Sequence, residues 1–197
     1  MGKPHPQRRD LMREQLAHLA ARMIAKDGIT DFAFAKRKAA RQLGAADTQH
    51  LPSNQEVEEA LLSYRALYQR DSHPDILYHL REEALAAMHL LEPFHPYLVG
   101  SVLSGTAGER SDINLMLFSD DAKAVLLFLL KHNLEFEDGE WKARVGGREE
   151  SVPSYTMTSE SGTQMHIIVL PENARHSGSR HPETHADIAA VETLLAG

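Results

Sequence analysis

The spacing of apolar residues changes near residue 93. Before that point they recur every three or four positions, as on one face of a helix. Met12, Leu16, Leu19, Met23 and Ile24 form such a stripe between Arg8 and Lys26, and Gly28 can follow in the left-handed conformation of a helix end. A second helix is expected from Thr30 and Asp31 to Leu43, with Phe32, Ala35, Ala39 and Leu43 on one side and Gly44 closing it. Ser53 and Glu56 have the spacing of a capping box, and Val57, Ala60, Leu61, Tyr64, Leu67 and Tyr68 continue from it as an apolar stripe. A fourth helix opens at Ser72 with Pro74 in its first turn. Ile76, Leu77, Leu80, Ala84, Met88 and Leu91 line it until Pro93 and Pro96 stop it.

Beyond Pro96 the apolar runs become short. Tyr97 to Val99 reads as a strand entering Gly100-Ser101, and Ile113 to Phe118 as a strand covered on both faces. Ser119 is expected to cap a helix with Asp120 and Asp121 in its first turn, running to about His132 with Val125, Leu126, Leu129 and Leu130 inward. A meander should follow. Leu134–Glu137 pairs with Trp141–Val145 across Asp138-Gly139, Gly146-Gly147 offers the next reversal, and Val152–Thr158 turns at Ser161-Gly162 into Thr163–Leu170. In that last strand Gln164, His166, Ile168 and Leu170 share a face. Ile188, Val191, Leu194 and Leu195 make a short closing helix that docks on the core. The expected fold is α+β: a helical region over 1–92, a mixed β-sheet with flanking helices over 93–171, and a histidine-rich tail with a short C-terminal helix over 172–197.

Composition narrows the chemistry. None of the 197 residues is cysteine, which excludes a disulfide scaffold, a Cys-ligated zinc or iron–sulfur centre and a cysteine nucleophile. No run of about 18 apolar residues exists, so no membrane span is expected, and a cytoplasmic location is the default. The net charge of -7 is uneven. Residues 1–44 hold 10 Lys and Arg against 4 Asp and Glu, and the remainder holds 11 against 24. A basic head on an acidic body allows an anionic partner at the N-terminal end.

The chemically richest stretch is LVGSVLSGTAGERSDINLMLF, residues 98–118. A strand delivers Gly100-Ser101, where the backbone can approach a ligand closely and a hydroxyl can meet phosphate oxygen. A short helix beginning there offers free N–H groups to an anion. Eleven residues after Ser101, Asp112 and Asn114 lie two apart on a strand and so project on one face. Hard oxygen ligands beside a phosphate-binding corner suit metal-assisted phosphoryl or nucleotidyl transfer.

In its order Gly100-Ser101, Gly105 and Ser111-Asp112-Ile113-Asn114-Leu115, the sequence resembles the polymerase-β-type nucleotidyltransferase superfamily, especially its minimal members. The resemblance covers roughly residues 90–171. It implies nucleotide binding by Gly100, Ser101, Gly105 and Ser111, and a catalytic metal set (Mg²⁺ or Mn²⁺) at Asp112, Asn114 and His166. The implied reaction moves a nucleoside monophosphate from an NTP substrate to an acceptor. The departures matter equally. The superfamily has Asp-x-Asp where this chain has Asp112-Ile113-Asn114, a third Asp where it has His166, and frequently a basic residue where it has Val102. One formal negative charge replaces three, so affinity for Mg²⁺ should collapse, whereas Asn and His suit Mn²⁺, Zn²⁺ or Ni²⁺ better. The alternative is a catalytically degenerate module that keeps the fold and binds nucleotide or nucleic acid in a regulatory role.

Other features carry two readings each. Lys36, Arg37 and Lys38 with Arg41 form a candidate nucleic-acid contact, or equally a solvated helix end where cations are favoured. His176, His181 and His185 suggest a metal site or a solvated tail, and a metal-binding histidine protein is a third reading of the chain. Phe32, Phe34, Tyr64 and Tyr68, at helical spacing, read as core rather than as a platform for stacked bases.

Overall fold

The computed structural model describes residues 6–45, 51–70, 72–145, 148–177 and 185–197. The α+β architecture expected from the sequence is observed, and the chain divides into two compact units, Met1–Asp75 and Ile76–Gly197.

The first unit contains α1 (Pro6–Asp27), α2 (Phe32–Gln42) and α3 (Asn54–Tyr68). Its core is made of Leu16, Ala17, Ala20 and Ala21 from α1, Ala35 and Ala39 from α2, and Val57 and Leu61 from α3. The many alanines let the helix axes approach closely, and Leu16, Met23, Ile24 and Leu61 fill what remains. Each terminus has a local cause. Gly28 ends α1 at φ 66°, and the Asp31 carboxylate accepts the Phe34 N–H at 3.0 Å to begin α2. Before α3 the capping box closes in both directions. Ser53 Oγ accepts the Glu56 N–H at 3.1 Å, and Glu56 Oε2 accepts the Ser53 N–H at 2.7 Å. Arg13 of α1 donates to the same carboxylate oxygen at 2.7 Å. With the Arg13 hydrogen bond as the largest cause and the Ser53 bonds next, Glu56 is lowered from an ordinary 4.5 to about 2.

The second unit takes in all but the first turn of α4 (His73–Leu90), together with β1 (Tyr97–Val99), α5 (Ser101–Ser104), β2 (Ile113–Phe118), α6 (Ala122–Lys131), β3 (Glu137–Val145), β4 (Arg148–Thr158), β5 (Gln164–Leu170), α7 (Ala174–Ser177), β6 (His185–Ala186) and α8 (Ile188–Ala196). The strands form one sheet in the order β3-β4-β5-β2-β1-β6. Only β2 and β5 run parallel, and the other neighbours are antiparallel. The row Tyr155, Ile167, Leu115, Leu98 and Ala186 crosses five strands in register and faces Leu80, Ala84 and Met88 of α4, Val125 and Leu129 of α6 and Val191 of α8 in one core. The opposite face is split. At one end Phe118, Val152, Ile168, Leu170 and Ala174 make a second apolar cluster. At the other end the next register row is Thr156, His166, Asn114, Val99 and His185, and it is mostly polar.

Four details differ from the reading of the sequence. The compact units part at Asp75 and Ile76, whereas the hydrophobic period changes near residue 93, because the apolar side of α4 completes the core of the sheet. Asp138-Gly139 does not make a hairpin. Both residues lie inside β3, opposite Tyr155 and Ser154, since the chain leaves α6 through left-handed Asn133 and pairs only from Glu137 onward. The pairing of Val145 with Arg148 agrees with the reversal expected at Gly146-Gly147. The cap of α6 is Asp121, whose carboxylate accepts the Ala124 N–H at 3.1 Å, while Ser119 accepts the Asp121 N–H. Finally, His185 belongs to an edge strand paired with Val99, and its ring packs edge-on against Tyr97. Its share of the tail is built into the sheet. Among the described residues no helix is long and apolar enough to cross a membrane.

Candidate functional site

Asp112, Asn114 and His166 come together at the polar end of the sheet's second face. The parallel pairing of β2 and β5 places Asn114 directly opposite His166. Asp112, just before β2, brings its Oδ2 to 3.6 Å from His166 Nε2, with the two side chains 43% and 24% exposed. On the far side of the ring, Thr156 Oγ1 and His166 Nδ1 are hydrogen-bonded at 3.1 Å. Trp141 lies over the same strand pair, its ring centroid 5.8 Å from that of His166. The imidazole is thus held between a carboxylate from the residue before β2 and a hydroxyl from β4, with about a quarter of the side chain exposed.

Gly100 supplies the next wall. It pairs with the site through backbone rather than side chain: φ is 76° and ψ -151°, a region reserved for glycine, and a Cβ there would stand 3.3 Å from Asn114 Nδ2. Ser101 opens the short α5. Its carbonyl accepts the Ala107 N–H at 2.9 Å, so the chain folds straight back after the turn. Gly105 ends α5 at φ 81°. Ser111 has a structural partner, its Oγ accepting the Gly108 N–H at 2.9 Å. Gly100, Ser101, Gly105 and Ser111 therefore shape one tight loop between β1 and β2 that leads into Asp112.

Two residues of α4 hold this corner and its opposite wall. Arg81 donates to the carbonyls of Val102 and Leu103 at 3.2 and 3.1 Å, satisfying acceptors that a four-residue helix leaves open. Its partial burial lowers the guanidinium pKa. Glu83 reaches the turn between β4 and β5, where Ser159 Oγ donates to it at 3.2 Å. Burial pushes the Glu83 carboxyl up, but the hydroxyls of Ser161, Thr163 and Ser159, together with His79 at 3.2 Å, outweigh that and hold it below its ordinary value. The hairpin carrying Thr156 and His166 is thereby fixed to the same helix as the loop after Gly100.

The donor set decides which metal arrangement suits these residues. A pair of Mg²⁺ ions needs several carboxylate oxygens, and here the set is one carboxylate, one amide and one imidazole. The residues do not fit a two-magnesium centre. Among the described residues no group of three or more His, Asp and Glu side chains is arranged around a metal position. The separation of 3.6 Å between Asp112 Oδ2 and His166 Nε2 does suit donors to one ion, since two ligands each about 2.1 Å from a tetrahedral ion stand about 3.4 Å apart.

The other candidates from the sequence lie elsewhere. Lys36 donates to Asn54 Oδ1 at 2.8 Å, and Lys38 pairs with Asp27 at 3.2 Å. Arg37 and Arg41 are exposed on α2. His181 lies outside the described residues, as does the His176 side chain. Sequence reasoning missed Thr156, Trp141, Arg81 and Glu83. For Thr156 a signal existed: once the turn is centred on Ser161, strand pairing sets Thr156 opposite His166.

No protein-family model matches the chain, and no curated protein does. Solved structures give partial likenesses. A structure of the Cid1 poly(U) polymerase aligns with 51% of this chain and 32% of its own at 22% identity, with a TM-score of 0.36. Its MgGTP-bound form aligns with 59% and 38% at 18% identity, with a TM-score of 0.37. A cytoplasmic RNA terminal U-transferase aligns with 64% and 32% at 21% identity, with a TM-score of 0.29. The chain spans about a third of the length of the structures it matches.

Proposed function

We propose that this protein is a nucleotidyltransferase-like module that binds a nucleoside triphosphate at the Gly100–Ser101 corner and does not carry out two-metal nucleotidyl transfer. The observation that carries the reading is the pairing of His166 with Asp112 at 3.6 Å. At the position where the resemblance implies a third acid, an imidazole faces the only carboxylate of the set. In this reading Gly100 admits the triphosphate, Ser101 contributes a hydroxyl, and Asp112 with Asn114 bounds the pocket. The role is binding or regulatory, in the cytoplasm where nucleotides are supplied, with nucleic acid as the accompanying partner.

A second reading has one observation in its favour: the separation of Asp112 Oδ2 and His166 Nε2 admits a single softer divalent ion. Mn²⁺ bound there by Asp112, Asn114 and His166 would supply charge neutralisation for transfer of a nucleoside monophosphate to an acceptor.

One experiment separates the two. The purified chain is titrated calorimetrically with ATP and UTP, then incubated with labelled NTP and either Mg²⁺ or Mn²⁺, with and without RNA. Nucleotide binding without label transfer is expected, and the double variant Asn114→Asp/His166→Asp should bind Mg²⁺ at least about tenfold more tightly, because two carboxylates replace neutral groups. Label transfer that Asp112→Ala abolishes would establish the second reading. Failure of any nucleotide to bind would overturn both.

A further inference from the structure

The helical unit holds a cleft of about 500 Å³ between α1 and α3 that has no part in the site on the sheet. One wall is the row His18, Arg22 and Lys26, recurring every fourth residue of α1 and so about 6 Å apart along the axis. The other wall is Tyr64, Leu67 and Tyr68 of α3, with Ser63 beside them. The stripe that reads as core in the sequence is core only in its first turns. Val57, Ala60 and Leu61 are buried, whereas Leu67 is 75% and Tyr68 71% exposed. The two tyrosine rings pack on each other, centroids 4.7 Å apart and tilted by 35°, which fixes the orientation of the exposed ring.

Charge and shape agree on the occupant. No carboxylate lines the cleft. His18 has Glu14 at 4.0 Å, one turn away on α1, but neither Arg22 nor Lys26 makes an ion pair among the described residues. Two unpaired cations and an imidazole along one wall match a regularly spaced anion, and a largely exposed tyrosine ring on the facing wall matches a planar base. An acidic peptide would answer the charges and leave the ring face without a stacking partner. A bilayer surface cannot enter a concave cleft. We infer that the α1–α3 cleft binds single-stranded nucleic acid, its backbone along Arg22 and Lys26 and a base stacked on Tyr68.

The test is fluorescence anisotropy of the full chain with labelled single-stranded oligonucleotides of about 12 nucleotides, across a salt series, against Arg22→Ala/Lys26→Ala, Tyr68→Ala and Tyr68→Phe. All the substituted side chains are exposed, and circular dichroism checks that each variant is folded. The double variant should bind more weakly and lower the slope of log K against log salt by about 1.4, since each single-strand phosphate contact contributes about 0.7. Tyr68→Ala should weaken binding about tenfold with the salt slope unchanged, and Tyr68→Phe should restore it. Three results would each overturn the inference: no binding at low salt, binding indifferent to these substitutions, or inorganic polyphosphate and anionic vesicles binding as tightly as the oligonucleotide with no effect of Tyr68→Ala.

Discussion

Gly100 is where local conformation and site geometry constrain the same residue. Its φ of 76° lies where an L side chain is strained, and the space a Cβ would need is held by Asn114 at 3.3 Å. Gly162 provides the contrast, because it has φ 91° with nothing within 4 Å of the added atom. Gly100→Ala is expected to cost about 1 to 3 kcal/mol in backbone strain, plus the displacement of Asn114. In urea denaturation it should therefore fall below Gly162→Ala, and Asn114→Ala should recover part of the difference. Equal costs at the two positions would mean that the Asn114 contact adds nothing. This residue was legible in the sequence as the Gly of a Gly-Ser corner. Asp112, Asn114 and His166 were also legible, because Asn114 and His166 sit on strands whose alternation assigns their face and Asp112 immediately precedes the first of them. Trp141, on the edge strand β3, carries no spacing signal of its own, and Thr156, on the interior strand β4, is marked only through the turn that sets its pairing with His166. Only the pairing of β3, β4 and β5 sets them beside the imidazole.

Among elements, helix ends were the most readable feature and long-range attachments the least. Asp31, Ser53 and Gly28 act through neighbours within a few residues, so their roles follow from local sequence. Arg81 and Glu83 act across the fold. On a helix both read as solvated charges, yet one holds α5 and the other the β4–β5 turn. Asp138-Gly139 failed for the opposite reason: a strong local turn signal lost to a longer strand pairing. The capping box of α3 also has a tertiary side, because Arg13 joins it to α1. Glu56 is held at about 2 against an ordinary 4.5, so the folded state binds its proton more weakly than the unfolded chain does. The stability from this carboxylate is therefore fully present above about pH 4.5 and is lost as pH falls from there to about 2. Because the pair is well exposed, 43% and 37%, salt should reduce the effect. Urea midpoints measured between pH 5 and 2 should fall less steeply for Glu56→Gln than for the parent chain, most clearly at low ionic strength. Parallel profiles would show that the Arg13 bond does not bias folding.

At the scale of the whole molecule, charge and core follow the same division. Residues 1–75 carry 12 Lys and Arg against 10 Asp and Glu, while residues 76–197 carry 9 against 18. The positive excess thus belongs to the unit with the α1–α3 cleft, and the site at Asp112 sits in the acidic one. The hydrophobic period marked where helices give way to strands, but a period reports local structure and not the core each element completes. Leu80, Ala84, Met88 and Leu91 share a cluster with Leu98, Leu115 and Ile167, so the sheet without α4 would expose one apolar face along its centre. The two boundaries make opposite predictions. A chain of residues 76–197 should unfold cooperatively in denaturant, with dispersed amide resonances, whereas residues 93–197 should aggregate or bind a hydrophobic dye, because they lack those four side chains along with the Arg81 and Glu83 anchors. A folded, cooperative 93–197 fragment would show that α4 is an addition to a self-sufficient sheet. An unfolded 76–197 fragment beside a folded full chain would show that the sheet unit needs the residues before it.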